Sequence, residues 1–365
     1  MIALQPLSLH PADLAPHPVE SAHTLPASWY TDPAFHRFDQ SAIFSRNWQF
    51  VGRESEVAKV GDQLVAEVAG KPVLVVRGED GVLRGFFNVC KHRAGPIALR
   101  NGNSRNLVCK YHGWTYGLDG GLKRAPEMEG VADFDPCAIH LEPIQVALWE
   151  SLVFVAMETP AAGLEQVLAG IAQQIAPIRL SEFRFETQVV YDIACNWKVY
   201  VDNYLEGYHL PLVHPGLNRL LDYRAYSTHT RDWYSYQHSP LDGDKGPYAG
   251  GEAHYYFVYP NLMLNILPNR LQTNRVIALG SERCRVIFDY YYPDRESGEA
   301  RAMIADDLRF SDEVQQEDIG ICEHVQRGLA SGAYHAGRLS AKRETGVHHF
   351  QNCLRAAYRA ALASS

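Results

Sequence analysis

The stretch Asn88-Val89-Cys90-Lys91-His92, followed after sixteen intervening residues by Cys109-Lys110-Tyr111-His112, decides how the rest of the chain is read. Each cysteine is paired with a histidine, in the order Cys-x-His and Cys-x-x-His. Two thiolates and two imidazoles suit a two-iron, two-sulfide cluster in which the cysteines hold one iron and the histidines the other. The neutral nitrogen ligands raise its reduction potential relative to an all-cysteine cluster. Zinc accepts the same ligand types and is the alternative, but zinc fingers usually open with two cysteines about two to four residues apart. Cys90 has a histidine there instead.

Working outward, the chain has 365 residues, enough for two domains with sizeable cores. Its net charge of -8 and lack of a basic tract give no reason to expect a nucleic-acid partner. The start Met1-Ile2-Ala3-Leu4-Gln5-Pro6 lacks a basic segment followed by an apolar run, so no secretory signal is expected. No apolar stretch reaches bilayer-spanning length, so no membrane association is expected either. Seven cysteines at irregular spacing fit a reducing cytoplasm better than a disulfide framework. Cys137, Cys195, Cys284, Cys322 and Cys353 read as ordinary thiols.

Residues 1 to 28 read as an irregular arm, and 33 to 47, with Phe35, Phe38, Ile43 and Phe44, as a short helix. Short strands follow at 63–68, 72–77 and 82–87, with Gly78-Glu79-Asp80-Gly81 as a turn. They predict a small antiparallel β domain with both ligand pairs on loops at its tip and 152–157 as its last strand. Residues 161 to 176 have helical composition, ended by Pro177. A strand is expected at 187–193, then a helix over 196–209 that Pro211 stops. Strands at 255–259, 262–266, 276–279 and 285–292 would form one antiparallel sheet, closed by helices over 302–330 and 347–362.

His209 and His214 form a second constellation. Five residues on a regular helix turn about 140°, so the two would diverge unless Pro211 breaks the helix. With sixteen histidines in the chain, such a pair is a weak signal alone. Asp318 strengthens it, because it shares a helix face with Val314, Ile321, Val325 and Leu329. Glu317, about 100° away, is expected to look toward solvent. A carboxylate on an apolar face is costly unless paired or bound to metal. Two histidines and one carboxylate leave iron(II) open positions for dioxygen; the alternative for Asp318 is a salt bridge to Arg327 or Arg343. Glu206, three residues before His209, and Asp202, four before Glu206, form either a polar helix face or carboxylates that hold a ligand imidazole by its second nitrogen.

The run Asn88–Gly95 with His112-Gly113-Trp114-Thr115-Tyr116 resembles the Rieske domain of the Rieske non-haem iron oxygenases. Asn203-Tyr204-Leu205-Glu206-Gly207-Tyr208-His209, with His214-Pro215, resembles the mononuclear-iron motif of their α subunits. The resemblance runs from about Trp48 to the C-terminus. It implies an α+β protein, with a small all-β Rieske domain (46–158) set into a catalytic domain of antiparallel sheet and helices (159–365, plus 1–45). It further implies a homotrimer in which electrons cross between subunits, along a path that here would be His112, Glu206, His209; the family more often has Asp at the bridging position. The implied cluster ligands are Cys90, His92, Cys109 and His112, and the implied iron(II) ligands His209, His214 and Asp318. Glu206, Asp202 and Asn203 are the candidate catalytic residues. No Gly-x-Gly-x-x-Gly run occurs, so NAD(P)H would act through a separate reductase. Lys91, Arg93 and Lys110 are candidate docking residues for it.

The segments 315–318, 322–329 and 346–350 resemble the C-terminal region of choline monooxygenase and the related carnitine and glycine betaine oxygenases. The implied substrate is a quaternary ammonium compound, oxidised with O2; an aromatic substrate is the alternative. A trimethylammonium group is well held over aromatic faces. Candidates are Tyr204, Tyr208, Trp233 and Tyr256, with Tyr234, Tyr236 and Tyr259. A pure electron carrier would leave about two hundred residues after the cluster domain unexplained, and a zinc-stabilised binding protein would be colourless.

Overall fold

The structure is a computed structural model that describes residues 9–241 and 250–363; the opening residues considered above for a signal lie outside these. Two compact units are present: Phe44–Glu165, and the described residues up to Ile43 together with those from Gln166 onward. In the second, single turns at Pro11–Leu14 and Ser28–Thr31 interrupt the arm before helix α1 (Pro33–Ala42), where Asp32 accepts from Ala34 N at 2.8 Å and proline occupies the first turn.

The unit Phe44–Glu165 contains β1 (Gln49–Arg53), β2 (Asp62–Val68), β3 (Lys71–Arg77), β4 (Leu83–Phe87), β5 (Gly102–Asn103), β6 (Leu107–Val108), β7 (Thr115–Tyr116), β8 (Leu122–Arg124), β9 (Pro143–Trp149) and β10 (Leu152–Ala156). One antiparallel sheet runs β1-β10-β9-β4-β3-β2-β5 and a small one β6-β7-β8. The unbroken apolar run in β3 has a physical reason: the strand is covered on both faces. Val73 and Val75 enter one core with Val57, Leu64 and Val153. Leu74 and Val76 enter another with Cys90, Cys109, Trp114 and Tyr116.

The other unit is built on a seven-stranded antiparallel sheet: β11 (Arg184–Ile193), β12 (Ser227–Thr230), β13 (Tyr234–Leu241), β14 (Gly251–Val258), β15 (Leu262–Leu267), β16 (Arg270–Ala278) and β17 (Cys284–Tyr292). Its order is β11-β17-β16-β15-β14-β13-β12. Against it pack α2 (Trp197–Tyr204), α3 (Leu210–Val213), the long α4 (Gly298–Ala330) and α5 (Thr345–Ala363). Among the described residues, no helix is long and apolar enough to cross a membrane. The fold is thus α+β, with a small β unit and a sheet-and-helix unit.

Several local expectations are corrected. Residues 161–176 form two single turns, Leu164–Val167 and Ile171–Gln174, separated by Gly170 at φ 88°. The helix expected over 196–209 stops at Tyr204, and Pro211 sits in the first turn of α3 rather than ending anything. β12, β13 and the first half of β16 lack an apolar run; in β13 and β16 the polar Gln237, Arg270, Gln272 and Asn274 line the cavity described below. The face of α4 carrying Ile321 and Val325 is 37% and 44% exposed, while the buried stripe runs through Ala300, Ile304, Asp307, Ser311, Gln315, Cys322 and Gln326. The sheet opposite supplies hydrogen-bonding groups, so the inward stripe is polar.

Candidate functional site

The loops after β4 and after β6 are built alike. Cys90 N donates to Gly95 O and Cys109 N to Trp114 O, each at 2.8 Å. Asn88 Oδ1 accepts from Ile97 N at 2.9 Å and Ala98 N at 3.0 Å, which closes the first loop. Gly95 is required there, since a Cβ would stand 3.0 Å from Cys109 Sγ and 2.9 Å from Tyr111 Cβ. Both thiols are buried, and burial pushes that of Cys90 up. The His92 ring stacks on Trp114 at 4.8 Å and lies 4.7 Å from that of His112. His92 Nδ1 is buried with no hydrogen-bond partner among the described residues. An orphaned buried imidazole nitrogen beside two buried thiols is costly unless something accepts its lone pair, and a Rieske cluster fits that donor set. Tyr116 Oη lies 3.2 Å from Cys90 Sγ and accepts from Lys91 N at 3.0 Å. His112 is exposed at the surface.

The second site begins where α2 ends. Glu206 turns back on its own chain: its Oε2 accepts from the backbone N–H of Tyr208 and, at 3.1 Å, from that of His209. Its Oε1 is 2.6 Å from His209 Nδ1. Gly207 allows the bend, as a Cβ would meet the Tyr226 ring at 2.7 Å. The first turn of α5 backs the same bend, where Gly346 abuts the Leu205 carbonyl closely enough to exclude a Cβ. One turn of α3 then delivers His214, buried at 1% exposure. Its Nδ1 is 2.7 Å from Glu317 Oε2 and its Nε2 3.0 Å from Asp318 Oδ1. His209 Nε2 lies 3.9 Å from the same oxygen.

His209, His214 and Asp318 each offer a ligand atom within 4.8 Å of the others. Each imidazole has its Nδ1 held by a glutamate, which turns Nε2 toward Asp318. Asn203 Nδ2 donates to Asp318 Oδ1 at 2.6 Å and orients it. Burial works against protonating His214, but Asp318 and Glu317 outweigh it and raise its pKa. The pocket is therefore electronegative and suits a divalent cation. Asp318 makes these contacts rather than the alternative salt bridge; Arg343 lies over the Tyr223 ring at 4.1 Å. Glu317 is corrected from a solvent-facing residue to a partner of His214. Asp202 is apart from the triad, accepting from Tyr30 Oη at 2.6 Å and Gln351 Nε2 at 3.3 Å, and burial pushes it up to about 7.

Beside the triad is a cavity of about 120 Å³. Its aromatic wall is Tyr200, Tyr204, Tyr226, Tyr255, Phe288 and Phe310. Of the aromatic candidates only Tyr204 lines it. Tyr208 is 56% exposed. Tyr256 stacks on Tyr236 at 5.3 Å and donates to Gln174 on the far face of the sheet, and Trp233, Tyr234, Tyr236 and Tyr259 also lie off the cavity. The error is one of strand phase: adjacent residues point to opposite faces, so Tyr255 faces the cavity and Tyr256 cannot. Polar groups complete the wall, among them Gln237, Asn265, Gln272, Asn274 and Gln315. Gln315 Oε1 accepts from Tyr200 Oη at 2.8 Å, and its buried Nε2 has no partner among the described residues.

Residues 180–360 match the family of the ring hydroxylating alpha subunit (catalytic domain), and 47–135 that of the Rieske [2Fe-2S] domain. The chain is 39% identical over 353 residues to the choline monooxygenase (chloroplastic) of Arabidopsis thaliana, covering 92% of this chain and 83% of that protein. It is 30% identical over 372 residues to the carnitine monooxygenase oxygenase subunit of Escherichia coli K12, covering 97% and 98%. The crystal structure of the quaternary ammonium Rieske monooxygenase CntA in complex with L-carnitine superposes with a TM-score of 0.81 at 28% identity, covering 92% of this chain and 96% of that one. Naphthalene 1,2-dioxygenase from Rhodococcus shares the fold, with a TM-score of 0.74 at 19% identity over 92% of this chain and 94% of its own. The chain belongs to the Rieske-type oxygenases, as an α subunit with a Rieske [2Fe-2S] domain and a mononuclear-iron catalytic domain.

Proposed function

We propose that this chain is an oxygenase component that hydroxylates, or by hydroxylation demethylates, a small quaternary ammonium compound of the choline, carnitine or glycine betaine kind. The observation that carries this is the cavity wall. Six aromatic rings line the cavity beside the His209–His214–Asp318 triad, and a trimethylammonium group gains about 0.5–2 kcal/mol from a ring face. A hydrocarbon would leave the buried Gln315 Nε2 without a partner, which disfavours it. Gln315 Nε2 is a free donor for the hydroxyl or carboxylate oxygen that such amines carry. The named relatives act on choline and carnitine.

In this reading Cys90, Cys109, His92 and His112 hold the cluster, within 46–158. His209, His214 and Asp318 hold iron(II), within 159–365 joined by 1–45. When bound, the cluster supplies single electrons and the iron the site of dioxygen activation. The chain's own residues do the rest. Glu206 and Glu317 fix both imidazoles by their Nδ1 atoms, and Asn203 orients the Asp318 carboxylate. The aromatic wall holds the ammonium and excludes water, and Gln315 sets which carbon faces the triad. An NAD(P)H-dependent reductase is the inferred electron source, and Lys91, Arg93 and Lys110 are inferred to meet it. A homotrimer is the inferred assembly; inter-subunit electron transfer is described for the solved quaternary ammonium monooxygenase. Glu206, bonded to His209 Nδ1 at 2.6 Å, is the inferred near end of the path that starts at His112. Free thiols at all seven cysteines support a reducing, cytoplasmic setting.

The test is oxygen consumption with a competent reductase across choline, carnitine, glycine betaine and a set of aromatic acids, with products identified. Coupled turnover of a quaternary amine is expected; turnover of aromatic acids alone overturns the substrate reading.

A further inference from the structure

A second cluster of ligand-type side chains lies on the opposite face of the sheet from the cavity. His238 on β13 and His254 on β14 are direct cross-strand partners, and Glu252 is two residues before His254 on the same face. Side chains directly opposite one another on an antiparallel pair have Cβ atoms about 4.5–5.5 Å apart, close enough to share one ion. The ligand atoms of all three fall within 4.8 Å of one another. His238 Nε2 is 3.4 Å from Glu252 Oε1, and His254 Nε2 is 3.6 Å from Glu252 Oε2.

These separations, each to a different oxygen of Glu252, suit a shared ion better than a pair of hydrogen bonds. They exceed the usual 2.7–3.2 Å of an N–H···O hydrogen bond by a few tenths of an ångström, roughly. Bonds of about 2.0–2.2 Å from a tetrahedral zinc to nitrogen and oxygen instead require ligand atoms to stand about 3.4 Å apart. His254 adds an independent point. It is only 7% exposed, and its Nδ1 is buried with no hydrogen-bond partner among the described residues. With Nδ1 enclosed and unpartnered, Nε2 is the ring nitrogen that faces Glu252 and is open to a ligand bond.

We propose that His238, Glu252 and His254 form a second metal site, distinct from the His209–His214–Asp318 triad, that takes a borderline divalent transition metal with tetrahedral preference, zinc foremost. Three protein ligands leave a fourth position for water. The site's role follows from strand phase. Gln237 and Tyr255, cross-strand partners adjacent to the two histidines, point the other way and line the substrate cavity. An ion across β13 and β14 pins the register of that wall.

The test uses the complete protein loaded with cluster and iron, dialysed against zinc and analysed for both metals. One zinc per chain beyond an unchanged iron content is expected. Glu252→Ala, at a 60% exposed side chain where folding is not at risk, should weaken that zinc at least tenfold while leaving the iron content unchanged. His238→Ala should do the same. Anomalous scattering from wild-type crystals above the zinc edge gives a test independent of any variant, with a peak expected between His238 and His254. Zinc found only at the His209–His214–Asp318 triad, or bound equally by Glu252→Ala, overturns the proposal.

Discussion

At the scale of single residues, carboxylates do most of the positioning. Glu206 caps two backbone amides and aims His209, and Glu317 aims His214. Replacing Glu317 by Ala should leave the cluster intact but weaken mononuclear iron about 10- to 100-fold, measured as iron lost to a chelator. Asp318→Ala removes a proposed ligand; metal analysis should find the mononuclear iron gone and the two cluster irons retained. Tyr116 offers a different handle. Its hydroxyl lies 3.2 Å from Cys90 Sγ, and a hydrogen bond worth about 1 kcal/mol corresponds to about 40 mV for one electron. Tyr116→Phe should lower the cluster potential by that order in a redox titration, since the bond favours the more negative reduced state. At this scale the sequence was most legible. Cys-x-His and Cys-x-x-His name their chemistry through spacing, whereas Glu317 was hidden by rotation, a helix turn being too coarse to say which of two adjacent acids reaches inward.

At the scale of elements, α4 is held by polar contacts where an apolar seam was expected. Asp307 accepts from Arg270 Nη1 at 2.7 Å and from Tyr292 Oη at 2.5 Å, all three buried. Asp307→Ala removes a buried ion-pair partner of Arg270 and should cost about 3–5 kcal/mol, read as a lower urea midpoint. Periodicity found α4 and α5 from their composition, but assigned the wrong face of α4 to the interior, because apolarity is a poor guide when the facing sheet carries Gln272 and Asn274. β3 shows the opposite case: covered on both sides, it appears as an unbroken apolar run. β13 and β14 carry tyrosine and histidine on one face and cavity-lining residues on the other. Nothing apolar alternates along β13, and so no period announces it.

At the scale of the whole molecule, pH couples stability to burial. Asp202, pushed up to about 7 from an ordinary 3.8, binds its proton more tightly folded than unfolded. Its contribution is therefore most favourable at low pH and is lost as pH rises from about 4 to 7. Asp202→Asn should flatten the fall in Tm over that window, and an unchanged pH profile would show that other groups control it. The two-part architecture was legible because each metal motif marks its own unit. The cavity was not, since its wall gathers residues from α2, β14, β17 and α4, distant in sequence and joined only by folding. The bend at Glu206 brings in a further dimension, which is time. All four cluster donors have been synthesised once the chain reaches His112, but Asp318 and the Gly346 backstop against Leu205 arrive near its end. Domains fold largely in the order they are made, at about 5–20 residues per second. On the proposed assignments, cluster delivery therefore has a head start over iron delivery, because the unit Phe44–Glu165 can close while Asp318 is still to be made.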